Sequence, residues 1–232
     1  MPVTRMSVRS KVLVLAGVLA IAAAGLGVWL WAGDGEGEGE AKPLSAPAKP
    51  CWDGTPSRAS LQKLLGPGKE LLHEKSEFGV VKDHSPAHCQ YEALGDKRLD
   101  TVLDMDVAWA QALPGADDPL GADARPGDKP TSFAAGARAY YLRATQRIYF
   151  ECRPDYPADA PAHLKKSRYV SVDVLARPMP SAKLSAKQAR EVGLDMVLEV
   201  ANKVADQAGC ANDTNLPKSA PQVDEPNWPQ FD

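Results

Sequence analysis

The stretch LDTVLDMDVAW, residues 99–109, decides the fold class of this chain because apolar and acidic side chains alternate along it. This period of two is typical of a half-buried β-strand, with one face toward a core and one toward water. We therefore predict a strand here. The buried face is expected to carry Leu99, Leu103, Met105, Val107 and Trp109, and the exposed face Asp100, Asp104 and Asp106.

Further strands and one long helix are predicted on the C-terminal side of this stretch. β-Branched and aromatic residues favour strands over residues 140–142, 147–152 and 168–176. Ser185 and Gln188 form a capping box before apolar residues at helical spacing, and Gly209 follows as a C-terminal cap. We expect this long helix to pack across the sheet.

On the N-terminal side, the sequence predicts a short helix over residues 56–65, with Thr55 as its N-cap and Gly66 after its end. The proline- and glycine-rich residues 114–130 predict a loop that separates two halves of the domain. The predicted fold is therefore an α+β domain over residues 51–210, with a small antiparallel sheet packed by a short and a long helix. A disordered tail is expected over residues 211–232.

Four cysteines, Cys51, Cys89, Cys152 and Cys210, predict two disulfides, since their number is even and none forms a CxxC pair. We favour Cys51 with Cys89 and Cys152 with Cys210, because this pairing closes shorter loops within each half. The crossed pairing, Cys51 with Cys210 and Cys89 with Cys152, stays open at this point.

The N-terminal region predicts a membrane anchor and a tether. Residues 12–32 are uncharged and apolar over about the ~20 residues that a membrane-spanning helix needs. Basic residues precede this run, so we expect a cytoplasmic segment over residues 1–11 and a plasma-membrane protein that spans the membrane once. Residues 33–50, rich in glycine and proline, predict a flexible linker. The alternative is a cleaved signal and a secreted domain, and both readings place the domain outside the cytoplasm.

The sequence favours a binding protein over an enzyme. It contains no nucleophile elbow, phosphate loop or dinucleotide fingerprint, so no catalytic residue and no cofactor are predicted. Asp104 and Asp106 are spaced about 7 Å apart on one face of a strand, a separation found in inverting glycosidases. A cell-envelope hydrolase that uses these two residues is therefore the alternative function, and a calcium or polysaccharide site is a third interpretation of the same row.

A metal site is not predicted, although His84, His88 and Cys89 offer ligands that suit zinc or copper. Pro86 breaks the helix that would place the two histidines on one face. Cys89 is expected in a disulfide and is then unavailable as a ligand.

A basic and aromatic region is the candidate binding surface, because arginine and tyrosine are favoured at interfaces. Its predicted partner is an envelope protein or a wall glycan. A net charge of only -3 gives no indication of nucleic-acid binding. The candidate binding residues are Arg138, Tyr140, Arg143, Arg147, Tyr149 and Arg153.

Several short motifs lie at the predicted helices, strands and cysteines of the domain. They are Cys51-Trp52 before the short helix, Leu64-Leu65-Gly66 at its end, Tyr149-Phe150-Glu151-Cys152, VANKVA at residues 200–205, and Gly209-Cys210. In these motifs the chain resembles a class of uncharacterised actinobacterial envelope proteins, membrane-anchored or lipidated, with a small cysteine-paired ectodomain. The resemblance implies a location and a structural frame, and it assigns no chemistry to particular residues. We therefore predict a membrane-anchored extracytoplasmic protein that acts as a non-catalytic binding or interaction module.

Overall fold

The computed structural model describes residues 45–52, 54–67, 72–77, 86–94, 99–115, 130–154, 156, 158–210 and 213–222. The predicted cytoplasmic segment, membrane span and most of the linker lie outside these residues. Within the described ranges, none of the helices is both long enough and apolar enough to cross a membrane.

In the described part of the chain, seven antiparallel strands form a single sheet in the order β1-β2-β3-β7-β6-β5-β4. Strand β7, the last in sequence among the described residues, lies between β3 and β6 and so joins the two halves that the sequence predicted. The antiparallel sheet of an α+β fold is confirmed. The strands are β1 Leu72–Glu77, β2 Ala87–Leu94, β3 Leu99–Ala110, β4 Thr131–Ser132, β5 Arg138–Leu142, β6 Thr145–Glu151 and β7 Tyr169–Ala176.

Two helices, α1 (Arg58–Leu65) and α3 (Ala186–Ala208), correspond to the two that the sequence predicted, and a short helix α2 (Ala162–Lys166) adds to them. Helix α1 begins at Arg58 rather than Pro56, because Ser57 is the N-cap and its hydroxyl accepts a hydrogen bond from the Ser60 N–H. Helix α3 has the predicted capping box at its start and a left-handed Gly209 at its end.

Helix α3 packs on one face of the sheet against β6 and β7, and it also contacts α1. The closest approach is at Gly193, where an added Cβ would lie 2.5 Å from Gln146 Oε1. A glycine at this point lets the helix lie directly over β6. The core between helices and sheet is built from side chains that are fully buried, including Leu61, Leu64, Tyr91, Met105, Ile148, Phe150, Val172, Val197 and Val200.

The disulfides are Cys51–Cys89 and Cys152–Cys210, so the favoured pairing is confirmed and the crossed pairing is wrong. The first bond ties the segment before α1 to β2, and the second ties the end of β6 to the residue after α3 and its cap. Each bond therefore attaches a helix-bearing segment to the sheet, in its own half of the chain.

The domain extends beyond the predicted residues 51–210 at both ends. Before it, the Ala46 N–H donates a hydrogen bond to Gln62 Oε1 on α1, at 2.9 Å. After it, the Gly136 N–H donates to the Asn215 carbonyl at 2.9 Å. Residues 45–50 and 213–222 therefore lie on the domain, and the predictions of a linker up to residue 50 and of a disordered tail from residue 211 do not hold for them.

The alternation along β3 is interrupted by a β-bulge, which the sequence analysis did not predict. Tyr91 of β2 pairs with Leu103, but the next residue of β2 pairs with Thr101, so that one residue of β3 is extra. That residue, Val102, is fully buried, whereas Leu99 is 51% exposed. Since a bulge reverses which side chains face the core, the placement of Leu99 on the buried face was wrong. Asp100 pairs with Ala93 and no longer shares a face with the other two aspartates.

Candidate functional site

Four charged or titratable side chains lie side by side on the sheet face opposite α3, one from each of four adjacent strands. His88 on β2 pairs with Asp106 on β3. Asp106 in turn pairs with Asp173 on β7, and Asp173 with Arg147 on β6. Cross-strand partners project from the same face with Cβ atoms about 5 Å apart. We call these four residues the charged row.

The charged row is arranged so that each aspartate has a partner of its own. His88 Nδ1 lies 2.9 Å from Asp106 Oδ1. Arg147 Nε donates to Asp173 Oδ1 at the other end. The two aspartates between them stand directly opposite each other, an arrangement that costs stability for like charges. The ion pair of Arg147 with Asp173 reduces that cost.

Asp104 joins the exposed end of the charged row from the same strand as Asp106. Its Oδ1 lies 3.4 Å from His88 Nδ1, at ion-pair distance but without hydrogen-bond geometry. This oxygen is shielded from solvent and has no hydrogen-bond partner among the described residues. Burial raises the pKa of the Asp104 carboxyl, nearby His88 acts to lower it, and Asp106 raises it further.

His88, Asp104 and Asp106 are the candidate cation ligands, since one ligand atom from each lies within 4.8 Å of the other two. An imidazole with two carboxylates suits borderline divalent metals such as zinc. The sequence analysis had grouped His88 with Cys89 instead. Cys89 is buried in its disulfide, and His84 lies outside the described residues. The sequence analysis did not pair β2 with β3. That antiparallel pairing places His88 beside Asp106.

The hydrolase hypothesis rests on Asp104 and Asp106, and the structure shows how their carboxylates are placed. The nearest carboxylate oxygens of Asp104 and Asp106 lie within 4.8 Å of each other, and both carboxylates contact the same imidazole nitrogen. Inverting glycosidases hold their carboxyl groups roughly 6.5–9.5 Å apart, with a water between them. In the structure both carboxylates approach one imidazole nitrogen, an arrangement that also suits a shared cation.

Four of the six residues in the predicted basic and aromatic surface are neighbours on the same sheet face as the charged row. Arg138 pairs with Tyr149, and Tyr140 with Arg147. The two tyrosine rings meet nearly edge to face, with centroids 6.5 Å apart, and both residues are buried. The Arg138 guanidinium donates to the Pro114 carbonyl.

The other two residues of that predicted surface lie at opposite ends of the β5–β6 hairpin. Arg143 is in the turn, whereas Arg153 follows β6 and pairs with Glu151. Arg143 follows Arg138 by five positions along β5 and its turn, which corresponds to about 16 Å of extended chain. The six residues therefore do not form one cluster, and the tyrosine rings are packed rather than displayed. Burial also raises the pKa of the Tyr149 hydroxyl, although Arg147 acts to lower it.

Comparison with known protein families, curated proteins and solved structures finds no match to this chain.

Proposed function

We propose that this chain is a membrane-anchored extracytoplasmic binding module, and that the charged row is the centre of its recognition surface. The observation that carries the proposal is the direct pairing of Asp106 with Asp173. Its expected partner is an envelope protein or a wall glycan.

The charged row is costly for a surface that only has to face water. Two aspartates opposite each other destabilise a sheet, and neutral residues such as threonine would pair better there. Each carboxylate is instead retained beside a hydrogen-bonding neighbour, His88 for Asp106 and Arg147 for Asp173. Departures from local stability rules tend to occur at functional sites, which supports a recognition role for this row.

Accessibility differs along the charged row and indicates where a partner would approach. The side chains of His88 and Asp106 are 34% and 61% exposed, whereas those of Arg147 and Asp173 are 14% and 21% exposed. Ala108, two residues after Asp106 on the same strand face, is also exposed. A partner can therefore contact the β2–β3 end directly, while the β6–β7 end holds the row in place.

Two features support an extracytoplasmic location. All four cysteines are paired in disulfides, which persist in oxidising compartments and are rare in the cytosol. The apolar run at residues 12–32, with basic residues before it, is the sequence pattern of an anchor with its N-terminus inside the cell. The resemblance to cysteine-paired envelope proteins agrees with both.

The location is tested by labelling intact cells with a maleimide that does not cross membranes. The variant Lys187→Cys carries the new thiol at an exposed position of α3, and Lys11→Cys carries it before the apolar run. We expect labelling of Lys187→Cys in intact cells, and of Lys11→Cys only after permeabilisation. Labelling of both variants only after permeabilisation would overturn the location.

Recognition is tested with a photocrosslinking amino acid at Ala108, beside the exposed end of the charged row, and at Asp195, on the exposed side of α3, as the matched control. We expect a discrete adduct from position 108 that is absent from position 195 and is lost when Asp106→Asn is added. Equal adducts from both positions, or an adduct that survives Asp106→Asn, would contradict the proposed surface.

A further inference from the structure

We infer that His88, Asp104 and Asp106 bind one divalent transition-metal ion of the zinc, cobalt and nickel class at the exposed end of the charged row. This inference goes beyond the proposed function, because it rests on the local geometry of β2 and β3 and not on any partner or cellular location.

The two distances from His88 to the aspartates are close to those of a tetrahedral metal site. With bonds of about 2.0–2.1 Å to the metal, two tetrahedral ligands stand about 3.3 Å apart. His88 Nδ1 lies 2.9 Å from Asp106 Oδ1 and 3.4 Å from Asp104 Oδ1. The carboxylate oxygens of Asp104 and Asp106 lie within 4.8 Å of each other, so side-chain rotations that bring these oxygens together would place all three atoms around one ion.

The backbone that carries the three ligands is regular and tied down. His88 and Asp106 are direct cross-strand partners, and Asp104 is on the same face of β3 two residues before Asp106. The residue after His88 is Cys89, whose disulfide with Cys51 fixes this part of β2. Ligands on paired strands are held more accurately than ligands on loops, which favours a defined site.

A second observation, independent of the spacing, is the unsatisfied oxygen of Asp104. The hydrogen bond of His88 Nδ1 is made with Asp106, and Asp104 Oδ1 lies outside hydrogen-bond geometry to the same nitrogen. The buried Oδ1 of Asp104 thus has no donor within the described part of the chain. Buried carboxylate oxygens normally have a hydrogen-bond partner or a metal, and an ion between the three groups supplies one.

The local charges also match a divalent ion. Asp173 is already paired with Arg147, so the two carboxylates of Asp104 and Asp106 are the ones that face the ion and balance its charge. An imidazole ligand selects transition metals over calcium and magnesium, which prefer oxygen. Three protein ligands leave one coordination position for water or for a group of a bound partner.

The test uses the full-length chain, purified in detergent with its disulfides intact and stripped of metal with a chelator. Titration with Zn²⁺ by calorimetry should show one ion bound per chain. His88→Gln and Asp104→Asn should each weaken binding at least tenfold. Asp100→Asn is the matched control, because this carboxylate is on the same strand but pairs with Ala93 away from the site, and it should leave binding unchanged.

A second measurement protects the test against variants that fail to fold. Co²⁺ added to the wild-type chain should give visible absorption bands of a four-coordinate site, and Zn²⁺ should remove them. Absence of one-to-one Zn²⁺ binding, wild-type binding by His88→Gln, or equal affinity for Ca²⁺ would each overturn the inference. If the chain binds no Zn²⁺ but still crosslinks at position 108, the metal site is wrong and the proposed function stands. If the chain binds Zn²⁺ but gives no crosslink, the metal site stands and the proposed recognition surface is wrong.

Discussion

The two ends of the sheet face opposite α3 differ in burial and in hydrogen bonding, and their sequences do not indicate this difference. The acidic end (His88, Asp104 and Asp106) is partly exposed and holds a carboxylate oxygen without a hydrogen-bond partner among the described residues. The aromatic end (Tyr140, Tyr149 and Arg147) has buried tyrosines and an arginine paired with Asp173. Tyrosine and arginine are typical interface residues, yet here they pack against each other. The aromatic end therefore stabilises the sheet, whereas the acidic end remains partly exposed.

The largest expected effect is from Tyr149→Ala at the aromatic end. Removing a buried aromatic side chain typically costs about 3 kcal/mol of unfolding free energy, because the cavity does not close fully. Asp106→Ala, at the exposed acidic end, should cost less than about 1 kcal/mol. Urea denaturation followed by tryptophan fluorescence compares the two variants. Equal losses would break the distinction between the two ends.

Arg147→Met should have the next largest effect, about 2 kcal/mol of unfolding free energy, because it leaves Asp173 next to Asp106 without its guanidinium partner. Adding Asp173→Asn removes the uncompensated charge and should recover much of the loss. Denaturation of the wild type, both single variants and the double variant gives the coupling energy. Additive losses in this cycle would mean that the pair does not hold the row together.

Short sequence motifs correctly predicted the ends of the long helix and the disulfide pairing. The capping box at Ser185 and the cap at Gly209 gave the bounds of α3. The preference for short disulfide loops gave both pairings. Strand β1, with the sequence LHEKSE, was not predicted because apolar and polar residues do not alternate along it. It is a strand through its pairing with β2.

The features that the sequence analysis missed depend on contacts between distant residues. The bulge at Val102 follows from how β2 pairs with β3, and it separates Asp100 from Asp104. The segment after Cys210 is polar in composition, yet Asn202 Nδ2 donates to the Pro217 carbonyl at 3.1 Å and fixes it on α3. The candidate site was divided between two motifs for the same reason, since only the register places His88 beside Asp106.

The smallest expected effect is the pH dependence that Asp104 gives to stability. Its carboxyl has a raised pKa in the folded chain and an ordinary one in the unfolded chain, so the folded state binds the proton more tightly. Stability is therefore higher below the ordinary aspartate range and falls as pH rises from that range through the raised value. Asp104→Asn cannot ionise and should lack this decline.

The decline should amount to less than about 1 kcal/mol, because the side chain is 30% exposed and solvent screens it. Urea denaturation of metal-free protein from acidic to neutral pH measures it as the difference between wild type and Asp104→Asn, with Asp100→Asn as the control that keeps the decline. If the difference stayed constant with pH, Asp104 would titrate like an ordinary surface carboxylate. The acidic end would then resemble any solvated strand face, and its contrast with the aromatic end would be one of exposure alone.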